Sequence, residues 1–320
     1  MFIPVLLFGL GLLLLIKGGD WFVEGATGIA HRFGVPELLI GATVVSIGTT
    51  LPEVMVSATS AVGGHGELAY GNAIGSIICN TALIAALTIA IRPSKVDRKS
   101  LSTPVVFFFL AAAVYLYRAY VSGSFSRAVG LELLGIFAVY MILTIRQAFR
   151  NPAPVTREAE LGDGPTWKSL LLLAVGAILI AIGADLLVDN GTLIAQAMGV
   201  PESVIALTFV ALGTSLPELV TAITSLAKGH GALSLGNIVG ANLFNLVLVS
   251  GISVTLAPFD LPASKTIGGY NASLVVDLPV MMLVMSLLTL PALVKGKLTR
   301  GQGVLLLCIY GAFCVFQFFL

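Results

Sequence analysis

The chain contains an internal repeat in which positions of the first copy recur 165 residues later. Residues 35–80 align without a gap on residues 200–245, and 21 of the 46 positions are identical. Each copy carries a near-identical six-residue motif, Gly48–Glu53 (Gly-Thr-Thr-Leu-Pro-Glu) and Gly213–Glu218 (Gly-Thr-Ser-Leu-Pro-Glu). Self-similarity at one fixed spacing indicates that a single structural unit occurs twice. The fold must therefore accommodate two related halves.

The composition places both copies in a membrane. The chain is 57% hydrophobic and 10% charged, with a mean hydropathy of +1.02, which lies outside the range of soluble domains. Apolar segments long enough to cross a bilayer can be laid out as ten helices. The predicted fold class is an all-α polytopic membrane protein with helices over residues 2–30, 35–62, 68–91, 101–119, 127–148, 168–198, 202–227, 232–257, 269–292 and 300–320.

The ten helices divide into two units of five. We predict a first five-helix repeat over residues 1–150, a linker over residues 151–166 and a second repeat over residues 167–320. Because five is an odd number, the second unit enters the membrane in the opposite sense, which gives an inverted repeat. The linker is too short to hold a regulatory domain, so none is expected.

Each six-residue motif brings polar groups into a membrane-spanning segment. Proline cannot donate a backbone hydrogen bond and pushes against the carbonyl four residues earlier, so Pro52 and Pro217 are expected to break helices 2 and 7. The break would free carbonyl oxygens upstream, and Thr49 or Thr50 would cap the second half-helix. Carboxylate, hydroxyl and carbonyl oxygens at one point are the ligands that Ca²⁺ and Na⁺ prefer. A simple proline kink is the weaker interpretation, because each copy also carries a glutamate that is costly to bury in lipid.

Helix 3 and its copy, helix 8, add amide and hydroxyl groups. Glycines at four-residue intervals on one face would let a neighbouring helix approach closely. We expect Asn80 and Asn245 to act as ligands, and Asn72 and Asn237 to form interhelical hydrogen bonds. The matching positions are Gly71, Asn72, Gly75, Ser76 and Asn80 in helix 3, and Gly236, Asn237, Gly240, Ala241 and Asn245 in helix 8.

The charges argue against nucleic acid as a partner and orient the chain in the bilayer. The net charge is +1 and no basic cluster lies outside the membrane-flanking loops. Thirteen basic residues lie in the segments that follow the odd-numbered helices, and three lie on the opposite side. The positive-inside rule therefore predicts a multi-pass protein of the cell membrane, with both termini outside and the central linker in the cytoplasm.

The two motifs, together with Gly71–Asn80 and Gly236–Asn245, resemble the α-repeats of the Na⁺/Ca²⁺ exchangers in the cation/Ca²⁺ antiporter superfamily. The resemblance implies that helices 2, 3, 7 and 8 bind ions while helices 1 and 6 slide across them. It implies Ca²⁺ binding by the Glu53 and Glu218 carboxylates with the main-chain oxygens of Thr49 and Thr214. The implied sodium ligands are Ser46, Thr49, Glu53 and Ser76 in the first half and Ala211, Thr214 and Glu218 in the second, with Asn80 and Asn245 in the middle. The motif hydroxyls of Thr50 and Ser215 complete the candidate set.

Two residues depart from the pattern of the family. Ala241 lacks the hydroxyl that Ser76 supplies in the other half, so one sodium position is expected to be weaker or to rely on water. Asn245 stands where several prokaryotic and K⁺-dependent relatives carry aspartate, so a K⁺ requirement is not expected. The linker also leaves no room for the large regulatory domains of the animal exchangers.

These observations predict a secondary antiporter that exchanges Na⁺ for Ca²⁺, with no catalysis and no cofactor besides the transported ions. One alternative is H⁺/Ca²⁺ exchange, because buried carboxylates can carry protons; proton-coupled relatives, however, have a Gly-Asn-x-x-Glu type of motif here. Another alternative is a cation channel with two glutamates in its filter. Inverted repeats with interrupted helices favour a carrier over a continuous pore.

Overall fold

A computed structural model describes residues 2–150, 166–198, 213–263 and 266–319. Within these ranges, nine helices are long and apolar enough to cross a membrane, and a tenth, shorter apolar helix covers part of predicted helix 7. The ten helices are α1 Phe2–Phe33, α2 Glu37–Val62, α3 Gly66–Ile91, α4 Arg98–Val121, α5 Arg127–Arg150, α6 Thr166–Ala197, α7 Leu216–Ala227, α8 Gly231–Leu256, α9 Ser273–Lys295 and α10 Arg300–Phe319. The predicted all-helical, ten-helix membrane fold is confirmed.

In the part of the chain that the structure describes, four helices contain a wide π turn. These turns span Gly41–Val45 in α2, Asn80–Ala85 in α3, Asn245–Val249 in α8 and Ser273–Asp277 in α9. A π turn shifts the backbone hydrogen-bond pattern and is frequent at functional sites. Side-chain hydroxyls donate to carbonyl groups in each of these turns. The hydroxyl of Ser46 donates to Gly41 O at 2.7 Å, that of Tyr140 donates to Ala42 O at 2.8 Å, and that of Ser250 donates to Asn245 O at 3.0 Å.

The predicted break at Pro52 is wrong. The second part of α2 is a regular α-helix from Ser46 to Val62 with Pro52 inside it, so Thr49 and Thr50 lie within the helix and do not cap a new one. Proline removes one hydrogen bond, and this is tolerated because α2 is packed against α3 and α8 along this stretch. The departure from regular α-helix falls earlier, at the Gly41–Val45 turn.

The second motif does precede a helix start. Helix α7 begins at Leu216 and places Pro217 in its first turn, where a proline costs no intrahelical bond. Ser215 occupies the capping position but its side chain makes no capping hydrogen bond. The upstream half of predicted helix 7 falls on residues 199–212, outside the described residues.

Helix α8 lies at the centre of the molecule and α2 packs closely against it. A Cβ atom built on Gly236 would collide with the backbone of Leu38, and one on Gly240 would collide with Ala42 and Ser46. Glycine is required there because the two backbones are nearly in contact. The predicted close approach is confirmed for these two glycines of α8. For Gly71 and Gly75 of helix 3, no described atom lies within 4 Å of a Cβ built at either position, so the described residues show no close approach there.

Short backbone pairings join the loops at each end of the bundle. At one end, β1 (Ser124–Phe125) pairs antiparallel with β2 (Phe259–Asp260), beside a hairpin of β3 (Thr266–Ile267) and β4 (Tyr270–Asn271). At the other end, Lys95 bridges to Lys297. The β1–β2 pairing joins the loops after α4 and α8, and the Lys95–Lys297 bridge joins the loops after α3 and α9. Loops after even-numbered and odd-numbered helices lie on opposite faces of the membrane, so the two pairings are on opposite faces. Since Asp260 lies 165 residues after Lys95, the two pairings are equivalent, as an inverted repeat requires.

Candidate cation site

Two carboxylates occupy the interior where α2 meets α7. The side chains of Glu53 and Glu218 are both fully buried, and they lie near enough for their charges to interact. Among the described residues, none of their four carboxylate oxygens has a hydrogen-bond partner. A buried charge is costly unless another group compensates it. A bound cation would supply that compensation.

Neutral polar groups lie on the helices that carry the two carboxylates and on the π turns that pack against those helices. Within the described part of the chain, the hydroxyls of Thr50 and Ser215 are buried without a partner, and so are both polar atoms of the Asn80 and Asn245 side chains. Buried polar groups in proteins are nearly always hydrogen-bonded, so a concentration of exceptions calls for an explanation. Asn80 and Asn245 each occupy the first position of a π turn, which places equivalent amides of the two repeats in equivalent local structure.

The hydroxyls of Ser46 and Thr49 face α8. Ser46 Oγ lies 2.9 Å from Asn237 O, in addition to its bond to Gly41 O. Thr49 Oγ1 donates to Asn237 Oδ1 at 3.2 Å. In addition, Thr49 and Thr50 stand beside the Glu218 carboxylate. Both repeats therefore contribute to the surroundings of each carboxylate.

The structure buries most of the candidate residues. Glu53, Glu218, Thr49, Thr50, Ser46, Ser76, Asn80, Ser215 and Asn245 are all buried, and Thr214 is half-buried. Ala211 lies outside the described residues. Ser76 is 5% exposed, and its counterpart Ala241 is fully buried, so the hydroxyl that the second repeat lacks would have had the same kind of environment. The assignment of these residues as ligands stays a prediction.

The interhelical role of Asn72 and Asn237 is confirmed. Asn72 Nδ2 donates to Ser57 Oγ at 2.8 Å and to Glu53 O at 3.2 Å, and its Oδ1 accepts from Thr214 at 3.2 Å. Asn237 Oδ1 accepts the matching bond from Thr49. Each asparagine thus fixes a helix that carries a motif glutamate.

Three buried hydroxyls near Glu218 are not among the site residues predicted from the sequence. Thr221 and Ser225 of α7 and Ser234 of α8 are buried, and none of their hydroxyls has a partner in the described ranges. The signal was present in the sequence, because Glu218, Thr221 and Ser225 follow one another at intervals of three and four residues and so share one face of a helix.

The charge of the site rests on two residues. Across the described ranges, no cluster of three or more histidine, cysteine, aspartate or glutamate side chains could hold a metal ion. The arrangement is instead two carboxylates with hydroxyl and amide oxygens. Hard cations such as Ca²⁺ and Na⁺ accept such oxygen ligands, whereas a soft metal would call for thiolate or imidazole. The site can therefore compensate one divalent cation or two monovalent cations.

Comparison with known proteins agrees with this chemistry. The model of the family described as "Sodium/calcium exchanger protein" matches residues 3–146 and again residues 168–319. The chain is 35% identical to the putative antiporter CaxA of Alkalimonas amylolytica, over 97% of this chain and 96% of the relative. It is 30% identical to the sodium/calcium exchanger MaX1 of Methanosarcina acetivorans, over 97% of each chain. The inner membrane protein YrbG of Escherichia coli is 35% identical over 87% of each chain.

A solved structure shares the whole fold. The sodium-calcium exchanger NCX_Mj, soaked with 2.5 mM Na⁺ and 10 mM Sr²⁺, superimposes with a TM-score of 0.80 at 34% sequence identity and covers 97% of each chain. The match extends over both copies of the repeat. This protein, a multi-pass membrane transporter and not an enzyme, therefore belongs to the sodium/calcium exchanger protein family.

Proposed function

We propose that the protein is a secondary active antiporter that exchanges Na⁺ for Ca²⁺ across the cell membrane by alternating access. One observation carries the proposal: Glu53 and Glu218 bury four carboxylate oxygens without a partner, amid unpartnered neutral oxygens. The solved relative was soaked with Na⁺ and with Sr²⁺ or Ca²⁺, ions of the two classes that such a site can hold.

Coupling follows from the shared charge. One Ca²⁺ neutralises two carboxylates, and two Na⁺ ions do the same, so either form of occupancy satisfies the site. Both forms together would leave an excess of positive charge in a low-dielectric interior, which is costly. Occupancy is therefore mutually exclusive, and an empty site with two ionised carboxylates is costly as well. A carrier that crosses only when loaded exchanges one ion for the other.

We further propose the orientation that the basic loops indicate, with both termini outside and the linker in the cytoplasm. The cytoplasmic end then carries the Lys95–Lys297 bridge, and the outer end carries β1 to β4. In this orientation α2 runs outward past Glu53, and α7 runs inward past Glu218.

The test is uptake of radioactive Ca²⁺ into proteoliposomes loaded with Na⁺ and diluted into Na⁺-free medium. We expect uptake that requires the outward Na⁺ gradient and is unaffected by replacing K⁺ with an inert cation. Vesicles with an imposed pH gradient and no Na⁺ are the essential comparison. Uptake driven by the pH gradient alone would identify H⁺/Ca²⁺ exchange instead, and uptake indifferent to every counter-ion would contradict an antiporter.

A further inference from the structure

We propose that a hydroxyl-lined cation passage runs from Glu218 to the end of the molecule that carries most of the basic loops. Its walls are Thr221 and Ser225 of α7 and Ser234 of α8. The passage would supply neutral oxygens to Na⁺ or Ca²⁺ as the ion sheds water on its way to the site. The inference rests on the proposed function for the identity of the ions, but not for the existence of the passage.

The first argument is an asymmetry between the two repeats. On the first-repeat side, Asn72 Nδ2 bonds to Ser57 Oγ at 2.8 Å and closes the space beside Glu53. The equivalent of Ser57 in the second repeat is Ala222, which has no hydroxyl. Accordingly, Asn237 Nδ2 is fully buried and has no partner among the residues that the structure describes. The polar contact that seals the space beside Glu53 is therefore missing beside Glu218.

The second argument concerns the hydroxyls of α7. A buried serine or threonine inside a helix usually donates to the carbonyl of the preceding turn. In this protein Thr27, Thr43, Ser253 and Thr289 do so, at 2.7 to 2.9 Å. Thr221 and Ser225 are fully buried and make no such bond. Their hydroxyls are thus available to a group that is mobile, either water or an ion.

The third argument is that these hydroxyls lead to a cavity. Ser234, also without a partner, lines a pocket together with Thr88, Arg92, Ser94 and Leu226. The pocket has a volume of about 20 Å³, which is room for about one water molecule. Leu226 directly follows Ser225 along α7, so the pocket lies within one helical turn of the α7 hydroxyls. The pocket lies between the loops after α3, α7 and α9, at the basic end.

Repeat symmetry accounts for only one of these three hydroxyls. The positions in the first repeat that match Thr221 and Ser234 are Val56 and Ala69, and neither carries a hydroxyl, whereas Ser225 matches the half-buried Ser60. Val56 is 43% exposed, whereas Thr221 is fully buried. The passage therefore belongs to the second repeat and to the basic end alone.

The experiment measures access of water-soluble reagents to single cysteines. Ser225→Cys and Ser234→Cys are made in a protein whose Cys79, Cys308 and Cys314 are replaced by alanine, and each is treated with a small cationic methanethiosulfonate in reconstituted vesicles. Ile223→Cys is the matched control, because Ile223 is on the same helix but 47% exposed on the apolar surface of the bundle. A thiol reacts as the hydrated thiolate, so we expect the two passage positions to react about tenfold faster than the control.

Two further measurements complete the test: the reagent is added to each side of the membrane in turn, and the reaction is repeated with Ca²⁺ present. Reaction is expected from the basic end only and is expected to slow when Ca²⁺ occupies the site. A second variant, Ala222→Ser, restores the hydroxyl that seals the first repeat and should slow both the reaction and the ion flux. Equal slow reaction at all three positions, or reaction from the opposite end only, would overturn the passage.

The two proposals fail in distinguishable ways. Fast reaction of Ser225→Cys and Ser234→Cys without any Na⁺-driven Ca²⁺ flux would keep the passage and reject the proposed ions. Normal Na⁺-driven flux with no reaction at either cysteine would reject the passage and keep the antiporter. If a cysteine variant does not fold, the flux of Ala222→Ser decides, and unchanged flux counts against the passage.

Discussion

Thr49 donates a hydrogen bond of 3.2 Å to Asn237, and its repeat equivalent Thr214 donates one of the same length to Asn72. Both bonds cross from one repeat to the other. Each threonine precedes its motif glutamate by four residues, so each bond places a carboxylate relative to the opposite half of the molecule. The site is therefore a joint product of the two repeats, and neither half could build it alone.

These two hydrogen bonds are expected to stabilise the folded protein. A neutral side-chain hydrogen bond contributes about 1 kcal/mol to stability, and a buried group left without its partner costs about 1–3 kcal/mol. Asn72→Ala and Asn237→Ala should each lower the thermal unfolding temperature in detergent, and Asn72→Ala should have the larger effect because it breaks more bonds. Thr49→Val combined with Asn237→Ala should be less than additive. Strict additivity would show that the Thr49–Asn237 bond carries no energy.

Removing one of the two negative charges of the site is expected to have the largest effect on transport. Glu53→Gln or Glu218→Gln leaves one carboxylate against a divalent ion, an imbalance that the geometry of neutral oxygens does not offset. We expect either change to abolish Ca²⁺ transport in the vesicle uptake assay. Glu24→Gln, at an exposed position of α1, is the control and should transport normally. Near-normal Na⁺-driven flux in both site variants would place the site elsewhere in the molecule.

The middle amides should behave differently from the carboxylates. Asn80→Ala and Asn245→Ala remove neutral ligands only, so we expect weaker Ca²⁺ binding without loss of transport, by a factor of about ten for each amide. Asn245→Asp adds a negative charge and should either tighten Ca²⁺ binding or make transport depend on pH. Isothermal titration of the purified protein at several pH values would measure both effects. Unchanged affinity in all three variants would exclude the amides from the site.

The missing hydroxyl of the second repeat can be restored. Ala241→Ser supplies the group that Ser76 provides in the first repeat, and serine is only slightly larger than alanine. If Ser76 is a sodium ligand, the change should raise the apparent affinity for Na⁺ while leaving Ca²⁺ affinity nearly constant. The dependence of Ca²⁺ flux on Na⁺ concentration measures this directly. A rise in the Na⁺ concentration required for half-maximal Ca²⁺ flux would argue that position 241 is purely a packing position.

Close packing of α2 on α8 can be tested with glycine substitutions. A side chain at Gly236 or Gly240 has no space, and overpacking costs about 1–3 kcal/mol or more where the backbone itself must move. Gly236→Val and Gly240→Val should reduce the yield of folded protein sharply. Gly135→Ala is a suitable control, because no described atom lies within 4 Å of a Cβ there. Normal yield and melting temperature for both valine variants would contradict this interface.

Some features of this protein could be predicted from its sequence because they depend on local pattern. Hydrophobic segments of membrane-spanning length located the nine membrane-length helices that the structure describes to within four residues at each end. The repeat identified equivalent residues, and the cost of burying glutamate in lipid marked Glu53 and Glu218. Each of these inferences uses the chain alone, since apolar length and carboxylate charge do not depend on what packs nearby.

Other features depend on which surfaces meet in the folded protein. Proline at position 52 predicted a broken helix, but packing against α3 and α8 keeps α2 continuous, while its copy Pro217 lies at a helix start. The π turns that begin at Asn80 within α3 and at Asn245 within α8 have no simple sequence signature. The partners of Asn72, and the lack of a described partner for the amide nitrogen of Asn237, arise from contacts between distant segments. The sequence by itself thus determined the helices, the repeat and the two charges, whereas only tertiary packing decided where the backbone departs from regular helix and which polar groups remain free for an ion.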